Sequence, residues 1–172
     1  MGAEAYLFQI IPRQELTLNE LKNIFQKLNI KSVNKKTSIC FEKIDEKSII
    51  EFKVYLKENN KNVVDEIFSR FCVGNPLEVI DNFFNLIKKI EKQIPVKVSD
   101  WQTKKHIYLK DEESYKQTKK TASLIKKGFE EAFGKIDTPI RCDDVWEYVK
   151  HNPDSKVIKW EEQHPKHIQK KE

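Results

Sequence analysis

The sequence has little glycine and almost no arginine, and both shortages restrict what the chain can do. Its 172 residues include four glycines, too few for a glycine-rich loop that cradles phosphate. The P-loop, GxGxxG, GxSxG and HExxH patterns are all absent. Arginine occurs only at Arg13, Arg70 and Arg141. Because arginine is the preferred residue for bidentate contacts with phosphate and guanine, we do not expect a sequence-specific nucleic-acid binder.

Cysteine and long apolar runs are also scarce. The three cysteines, Cys40, Cys72 and Cys142, lie far apart and form no CxxC pair. Neither a local zinc site nor a disulfide framework is therefore encoded, and we expect three buried or half-buried thiols. No stretch approaches the roughly 18 apolar residues of a membrane span, and residues 1–11 do not resemble a signal peptide. These absences predict a cytoplasmic protein with no membrane association and no cofactor.

The chain does contain a large apolar and aromatic fraction inside a densely charged composition. Hydrophobic residues make up 38% and charged residues 34%, and the ten Phe, five Tyr and three Trp indicate a folded chain. The net charge of +5 is mild for a nucleic-acid binder. We expect one domain over residues 1–160 and a polar tail over residues 161–172. His164 and His167, in that tail, offer only half of a tetrahedral site, so no metal is expected.

Periodicity in the first third of the chain predicts a strand, a helix and a hairpin. The apolar run Ala5–Ile11 is typical of a buried strand. Thr17 and Glu20 have the spacing of a helical capping box, and apolar residues at helical spacing follow them. Residues 38–44 and 48–57 indicate an antiparallel hairpin. Its second strand alternates apolar with polar residues, which predicts one buried and one solvent-facing side.

The middle of the chain is ambiguous at residues 63–73, which fit a helix or a strand. Their β-branched and aromatic residues favour a strand. Asn75 is predicted to cap a second helix that has Glu78 at its third position. Two short strands, Val96–Asp100 and His106–Lys110, are expected after that helix.

The last third is predicted to be mainly helical. Asp111 is expected to cap the longest helix, which Gly134 ends, and a short helix, Asp143–Lys150, and a strand, Lys156–Trp160, follow. The order of elements predicts an α+β fold with a mixed or antiparallel sheet of about four to six strands. Helices would pack on one face, in a ferredoxin-like or related arrangement, with extra C-terminal helices.

Two groups of side chains were considered for catalysis, and neither predicts it. Cys142 precedes Asp143 and Asp144, whose carboxylates would raise the pKa of the thiol, so a helix N-terminus capped by aspartate is the better interpretation. His106 and Asp100 could form a base and its orienting group, but no nucleophile is evident nearby. We predict no catalytic residue and no enzyme activity.

The most suggestive surface is the segment 101–110, in which lysines alternate with Trp and Tyr. More lysines follow on the next helix, at Lys116, Lys119, Lys120, Lys126 and Lys127. Such a surface could stack on bases and neutralise phosphates, or simply keep the helix soluble. Aromatic anchors in a charged rim are also typical of protein-binding surfaces. The predicted partner-binding residues are Trp101, Lys104, Lys105, Tyr108, Trp146 and Trp160.

A resemblance covers residues 63–110. The run FSRF at 68–71, the triplet GNP at 74–76 and the strand Val96–Asp100 after an aliphatic helix resemble a group of small bacterial α+β proteins. That group is associated with immunity functions in polymorphic toxin systems. The resemblance implies a stoichiometric binder that neutralises a partner toxin and has no active site. Immunity proteins against basic nucleases are often acidic, so the basic charge here argues against a nuclease partner.

We therefore predict a non-enzymatic protein-binding module of the immunity or antitoxin type. The alternative is a weak single-stranded nucleic-acid binder that uses the lysine and aromatic surface.

Overall fold

The structure is a computed structural model that describes residues 4–156. Seven strands, β1 to β7, span Ala5–Pro12, Lys31–Lys35, Ser38–Asp45, Ser48–Lys57, Asn60–Cys72, Val96–Asp100 and Lys105–Ile107. Four helices, α1 to α4, span Leu18–Lys27, Glu78–Glu91, Glu112–Phe133 and Val145–Lys150. Residues 157–160 of the predicted last strand lie outside the described residues. So do the predicted tail, the domain boundary at residue 160 and the histidine pair.

The strands form one sheet in the order β2-β3-β4-β5-β1-β6-β7. Each neighbouring pair is antiparallel, so the prediction of an α+β fold is confirmed, whereas the expected four to six strands were too few. The ferredoxin-like arrangement is not confirmed. Four strands, β2 to β5, lie between α1 and α2, where the ferredoxin-like order of elements has two.

The strand that the sequence did not predict is β2, which is an edge strand. It pairs with β3 alone, and of its five residues only Val33 is half-buried. A strand without a buried face has no apolar alternation, so its sequence looks like a polar loop. The ambiguous residues 63–73 belong largely to β5, as the strand interpretation predicted. That strand already begins at Asn60, immediately after a two-residue turn.

The core lies on one face of the sheet, under α1, α2 and α3. Phe8 of β1 stacks on Phe83 of α2 with ring centroids 3.9 Å apart. Phe25 of α1 contacts Phe41 and Phe52 from β3 and β4. Each fully buried ring of this kind contributes about 1.5–3 kcal/mol by leaving water. All the side chains in these contacts come from the same face of their strands, so within residues 4–156 the helices α1, α2 and α3 leave the opposite face uncovered.

Two of the predicted helix starts are confirmed. In α1 the Glu20 backbone N–H donates to the Thr17 hydroxyl (3.2 Å), and the Thr17 N–H donates to the Glu20 carboxylate (2.8 Å), as expected for a capping box. In α3 the Asp111 carboxylate accepts from the Glu113 and Ser114 backbone N–H groups. Each such cap stabilises a helix by about 1 kcal/mol.

The predicted cap of α2 is wrong. The helix begins at Glu78 with no side-chain cap, and Asn75 is 1% exposed. The Asn75 side chain donates to the Ile49 carbonyl (3.4 Å) and accepts a hydrogen bond from the Ile140 backbone N–H (2.6 Å). Its partners are therefore distant in sequence, and this side chain fastens the C-terminal part of the chain to the sheet.

After α3 the chain passes from the helical side of the sheet toward its uncovered side. Gly134 ends α3 with φ 85°. Residues 139–144, here called the crossing segment, follow and contact the uncovered face through their side chains. The next helix, α4, begins at Val145 rather than at the predicted Asp143, and Asp144 at its start makes no side-chain cap. Asp143 is used in ion pairs instead.

Candidate functional site

The uncovered face of the sheet is built by the period-two alternation of β4 and β5. In β4, Glu51, Lys53 and Tyr55 point away from the helices, while the residues between them are buried. In β5, Phe68 and Arg70 share that face. The pairing of β4 with β5 shifts register immediately after Tyr55, and irregularities of this kind are common beside binding sites.

A groove of about 430 Å³ runs over this face. Its lining comes from strands β1 to β5, from Trp101 and from the crossing segment. That volume falls within the range usual for ligand-binding clefts. The apolar lining lies around Leu7, Tyr55, Phe68 and Trp101, and the charged lining lies around Arg70 and Asp143.

The apolar part of the groove contains a row of three aromatic rings. The ring of Phe68 lies between the rings of Tyr55 and Trp101, with centroid distances of 5.8 and 5.3 Å and edge-to-face geometry. The Lys53 ammonium lies 5.0 Å from the Tyr55 ring centroid, and the Lys104 ammonium lies 4.6 Å from that of Trp101. These distances are within the range of a cation–π interaction.

Trp101 is held in place by the loop that carries it. Its backbone N–H donates to the Leu7 carbonyl of β1 (3.1 Å). The neighbouring Gln102 side chain accepts from the Leu7 N–H (3.0 Å) and donates to the Ala5 carbonyl (3.2 Å). The buried Asp100 accepts from the Gln102 backbone N–H. A side chain on such a fixed loop loses little freedom when it contacts a partner.

The other end of the groove is a network of ion pairs. Arg70 binds Glu51 (3.0 Å) and Asp143 (2.7 Å), and Asp143 also binds Lys35 (2.7 Å). In addition, the Glu51 carboxylate accepts a hydrogen bond from the Cys142 backbone N–H (3.1 Å). These contacts connect the crossing segment to β2, β4 and β5.

A second contact of the crossing segment is a two-pronged ion pair. Arg141 donates to both carboxylate oxygens of Glu42, at 2.9 and 3.0 Å. This hydrogen bonding lowers the pKa of Glu42 below its ordinary value. Hydrogen bonds from Lys35 and Arg70 likewise lower the pKa of Asp143. The carboxylates of Glu42 and Asp143 are therefore ionised at neutral pH and already paired with cations of the chain.

The thiol beside this network is not an activated nucleophile. Cys142 is buried, and its pKa is raised first by burial and then by the charge of Glu51. Burial also raises the pKa of Cys72 to about 11. A thiol with a raised pKa is protonated at neutral pH and reacts slowly. Cys40 is half-buried, so the expectation of three buried or half-buried thiols is confirmed.

The predicted partner-binding residues do not form one surface. Trp101 and Lys104 lie together at the groove. Lys105 is exposed on β7 and donates to Gln117 (3.4 Å), and Tyr108 is exposed in the loop after β7. Trp146 packs against Phe129 and Phe133 of α3. Trp160 lies outside the described residues.

The lysines of α3 are mostly used in contacts within the chain. Lys119 binds Asp81 at 3.0 Å, and Lys126 binds Glu130 at 2.9 Å and the Gly74 carbonyl at 2.8 Å. Lys116 pairs with Glu112, and Lys127 lies 4.0 Å from Glu131. An ammonium group that is already paired with a carboxylate attracts a phosphate less strongly.

His106 and Asp100 are not brought together. They lie on opposite faces of the β6–β7 hairpin, because His106 is paired with Ser99, the residue before Asp100. The His106 ring is 3.0 Å from the Ser99 hydroxyl, whereas Asp100 accepts from the Tyr6 hydroxyl in the core (2.6 Å). The pair considered as a base and its orienting group is therefore separated by the sheet.

The part of the chain that the structure describes, residues 4–156, has neither a metal-binding cluster nor a membrane-spanning helix. No cluster of three or more His, Cys, Asp or Glu side chains in this part of the chain could hold a metal ion. Within the same residues, no helix is long and apolar enough to cross a membrane.

Comparison of the chain with protein-family models, with curated proteins and with solved structures finds no match in any of the three. Its function therefore has to be inferred from the groove.

Proposed function

We propose that the chain is a non-enzymatic protein-binding module and that the groove is its binding surface. The observation that carries this proposal is the row of Tyr55, Phe68 and Trp101 on the sheet face opposite α1, α2 and α3, which is uncovered within residues 4–156. Aromatic side chains surrounded by charged residues are typical of the energetically important centre of protein interfaces.

The ring contacts favour a protein partner over single-stranded nucleic acid. Bases stack on free faces of aromatic rings, but Lys53 and Lys104 place ammonium groups over Tyr55 and Trp101. Stacking would have to displace both. A peptide side chain can pack against the ring edges and keep both cation–π contacts.

The resemblance of residues 63–110 to immunity-type proteins supports a more specific form of the proposal. In that form the partner is a toxin domain that the chain neutralises by stoichiometric binding in the cytoplasm of a bacterium. The paired carboxylates at the groove and the overall positive charge are poorly suited to a basic nuclease toxin.

The test is capture of a partner by the tagged full-length chain from host lysate, followed by affinity measurements with the purified partner. Trp101→Ala is expected to weaken binding about 30-fold, which corresponds to about 2 kcal/mol for a central aromatic residue. Trp146→Ala is the matched control, because it removes a second partly exposed tryptophan that packs on α3 and does not line the groove. Its affinity should equal that of the wild type.

Other outcomes separate the alternatives. Capture of nucleic acid without protein, with affinity that falls steeply with salt, would favour the single-stranded nucleic-acid binder. An empty capture, or a protein partner whose affinity is the same for Trp101→Ala and the wild type, would contradict the groove as the binding surface. Thermal unfolding of both variants shows whether either substitution acts through loss of the fold.

A further inference from the structure

The two ends of the groove differ in how their charges are balanced. At the end beside the crossing segment, three cations face three carboxylates, and all take part in ion pairs: Lys35, Arg70 and Arg141 with Glu42, Glu51 and Asp143. A partner charge placed there would have to compete with these ion pairs. This end is electrostatically complete without a ligand.

At the aromatic end of the groove, the cations are not balanced by carboxylates in this way. Lys53 and Lys104 lie over Tyr55 and Trp101, and among residues 4–156 neither ammonium has a carboxylate oxygen within 4.0 Å. Glu51, two residues before Lys53 on the same face, is paired with Arg70. Glu66 lies across from Tyr55 in the strand pairing. Its carboxylate accepts a hydrogen bond from the Gln9 side chain (2.5 Å). Lys53, which lines the groove, and Lys104, over the lining residue Trp101, therefore have no carboxylate partner among the described residues.

We propose that the aromatic end of the groove binds an acidic segment of the partner protein, in which a carboxylate side chain is next to an aromatic or aliphatic one. This inference rests on the proposed function and adds the chemistry of the partner. The carboxylate contacts Lys53 or Lys104 from the solvent side, and the apolar side chain packs on Phe68. An ammonium group can hold a ring on one side and a carboxylate on another, so both kinds of contact coexist.

The direction of the segment follows from the sheet. The three rings come from β4, from β5 and from the loop after β6, so the row crosses the strands rather than following one of them. A bound segment that follows the row lies across the strands, and its affinity depends on side chains rather than on backbone pairing with an edge strand. This arrangement differs from strand addition at a sheet edge.

The test uses random peptides displayed on phage and selected on the full-length chain, with the Trp101→Ala chain as counter-selection. The peptides that need Trp101 are expected to be enriched in Asp or Glu next to Phe, Trp, Leu or Ile. For such a peptide in synthetic form, the double variant Lys53→Gln/Lys104→Gln should weaken binding roughly three- to tenfold. Lys120→Gln, the same change at an exposed lysine of α3, should leave the affinity unaltered.

The possible results separate the proposal that the groove is a binding surface from the proposal that its ligand is an acidic segment. Neutral or basic peptides that need Trp101 would overturn the acidic partner and leave the groove as a binding surface. A failure of the double lysine variant to weaken binding would do the same. If no peptide needs Trp101, both proposals fall together. A labelled oligothymidylate that binds more tightly than any peptide, and in a Trp101-dependent way, would replace the acidic segment with nucleic acid.

Discussion

Replacing Gly134 with alanine is expected to destabilise the protein, whereas the same substitution at Gly128 is expected to stabilise it. Gly134 has φ 85° and ψ 164°, a region of backbone conformation that is essentially restricted to glycine. A side chain there costs about 1–3 kcal/mol. A Cβ atom at this position would lie 2.5 Å from Nδ2 and 2.9 Å from Cγ of Asn152, so the Asn152 side chain would have to move.

The displacement of Asn152 has its own cost. Its side-chain amide donates to the Phe133 carbonyl at 3.2 Å, and losing this hydrogen bond costs about 1 kcal/mol. Alanine also restricts the unfolded chain, which offsets about 0.4–1 kcal/mol. The net destabilisation for Gly134→Ala is therefore about 1–4 kcal/mol. At this chain length each kcal/mol lowers the melting temperature by roughly 2–4 °C.

Gly128 provides the matched control. It lies inside α3, and no atom would be within 4 Å of an added Cβ. Alanine is better than glycine in a helix interior by about 0.5–1 kcal/mol, so Gly128→Ala should raise the melting temperature. Thermal unfolding followed by circular dichroism measures both variants. A Gly134→Ala protein as stable as the wild type would refute the proposed turn out of α3, and with it the path of the crossing segment to the groove.

Three further predictions concern the buried contacts around the groove. Asn75→Ala should lower the unfolding free energy by about 1–3 kcal/mol in urea titrations, because it leaves the half-buried Ile140 N–H without its acceptor; an unchanged urea midpoint would contradict this contact. Glu42 has a folded-state pKa below its ordinary 4.5 because of Arg141, so its stabilising contribution is complete above pH 4.5 and is lost as the pH falls through the lower folded value. Glu42→Gln should therefore lose less unfolding free energy on acidification below pH 4.5 than the wild type. If the unfolding free energy falls equally with pH in both proteins, the result would count against this ion pair. Under native conditions one thiol, Cys40, should react with a disulfide reagent while the two buried thiols stay protected; two or more fast-reacting thiols would show that the core around them is open.

The sequence could predict those parts of the fold whose physical cause is local. The capping box of Thr17 and Glu20 is set by residues three positions apart, and the alternation of β4 shows directly which side chains face away from the core. The edge strand β2 was missed because a strand exposed on both sides has no apolar pattern. Asn75 was misassigned because its position before a proline fits a cap, while its actual partners lie 26 and 65 residues away.

Only part of the candidate site could be predicted in the same way. Trp101 and Lys104 lie side by side in the structure, as their closeness in sequence indicates, and their role in partner binding stays a prediction. Phe68 and Tyr55 face outward in the strand alternation, which was the available indication that they belong to a surface. Arg70 forms ion pairs with Glu51, 19 residues away, and with Asp143, 73 residues away, so no local pattern reveals them. Trp146 was grouped with Trp101 because both are tryptophans near charged residues, and the fold separates them.

The most direct test of the groove as the binding surface is oxidative footprinting of the full-length chain, free and bound to its partner. Tyr55 in the groove and Tyr148 on α4 are both 40% exposed, so they should be labelled to a similar extent in the free protein. Partner binding is expected to protect Tyr55 and to leave Tyr148 as reactive as before. Protection of Tyr148 with Tyr55 unaffected would contradict the account and place the binding surface on the C-terminal helices.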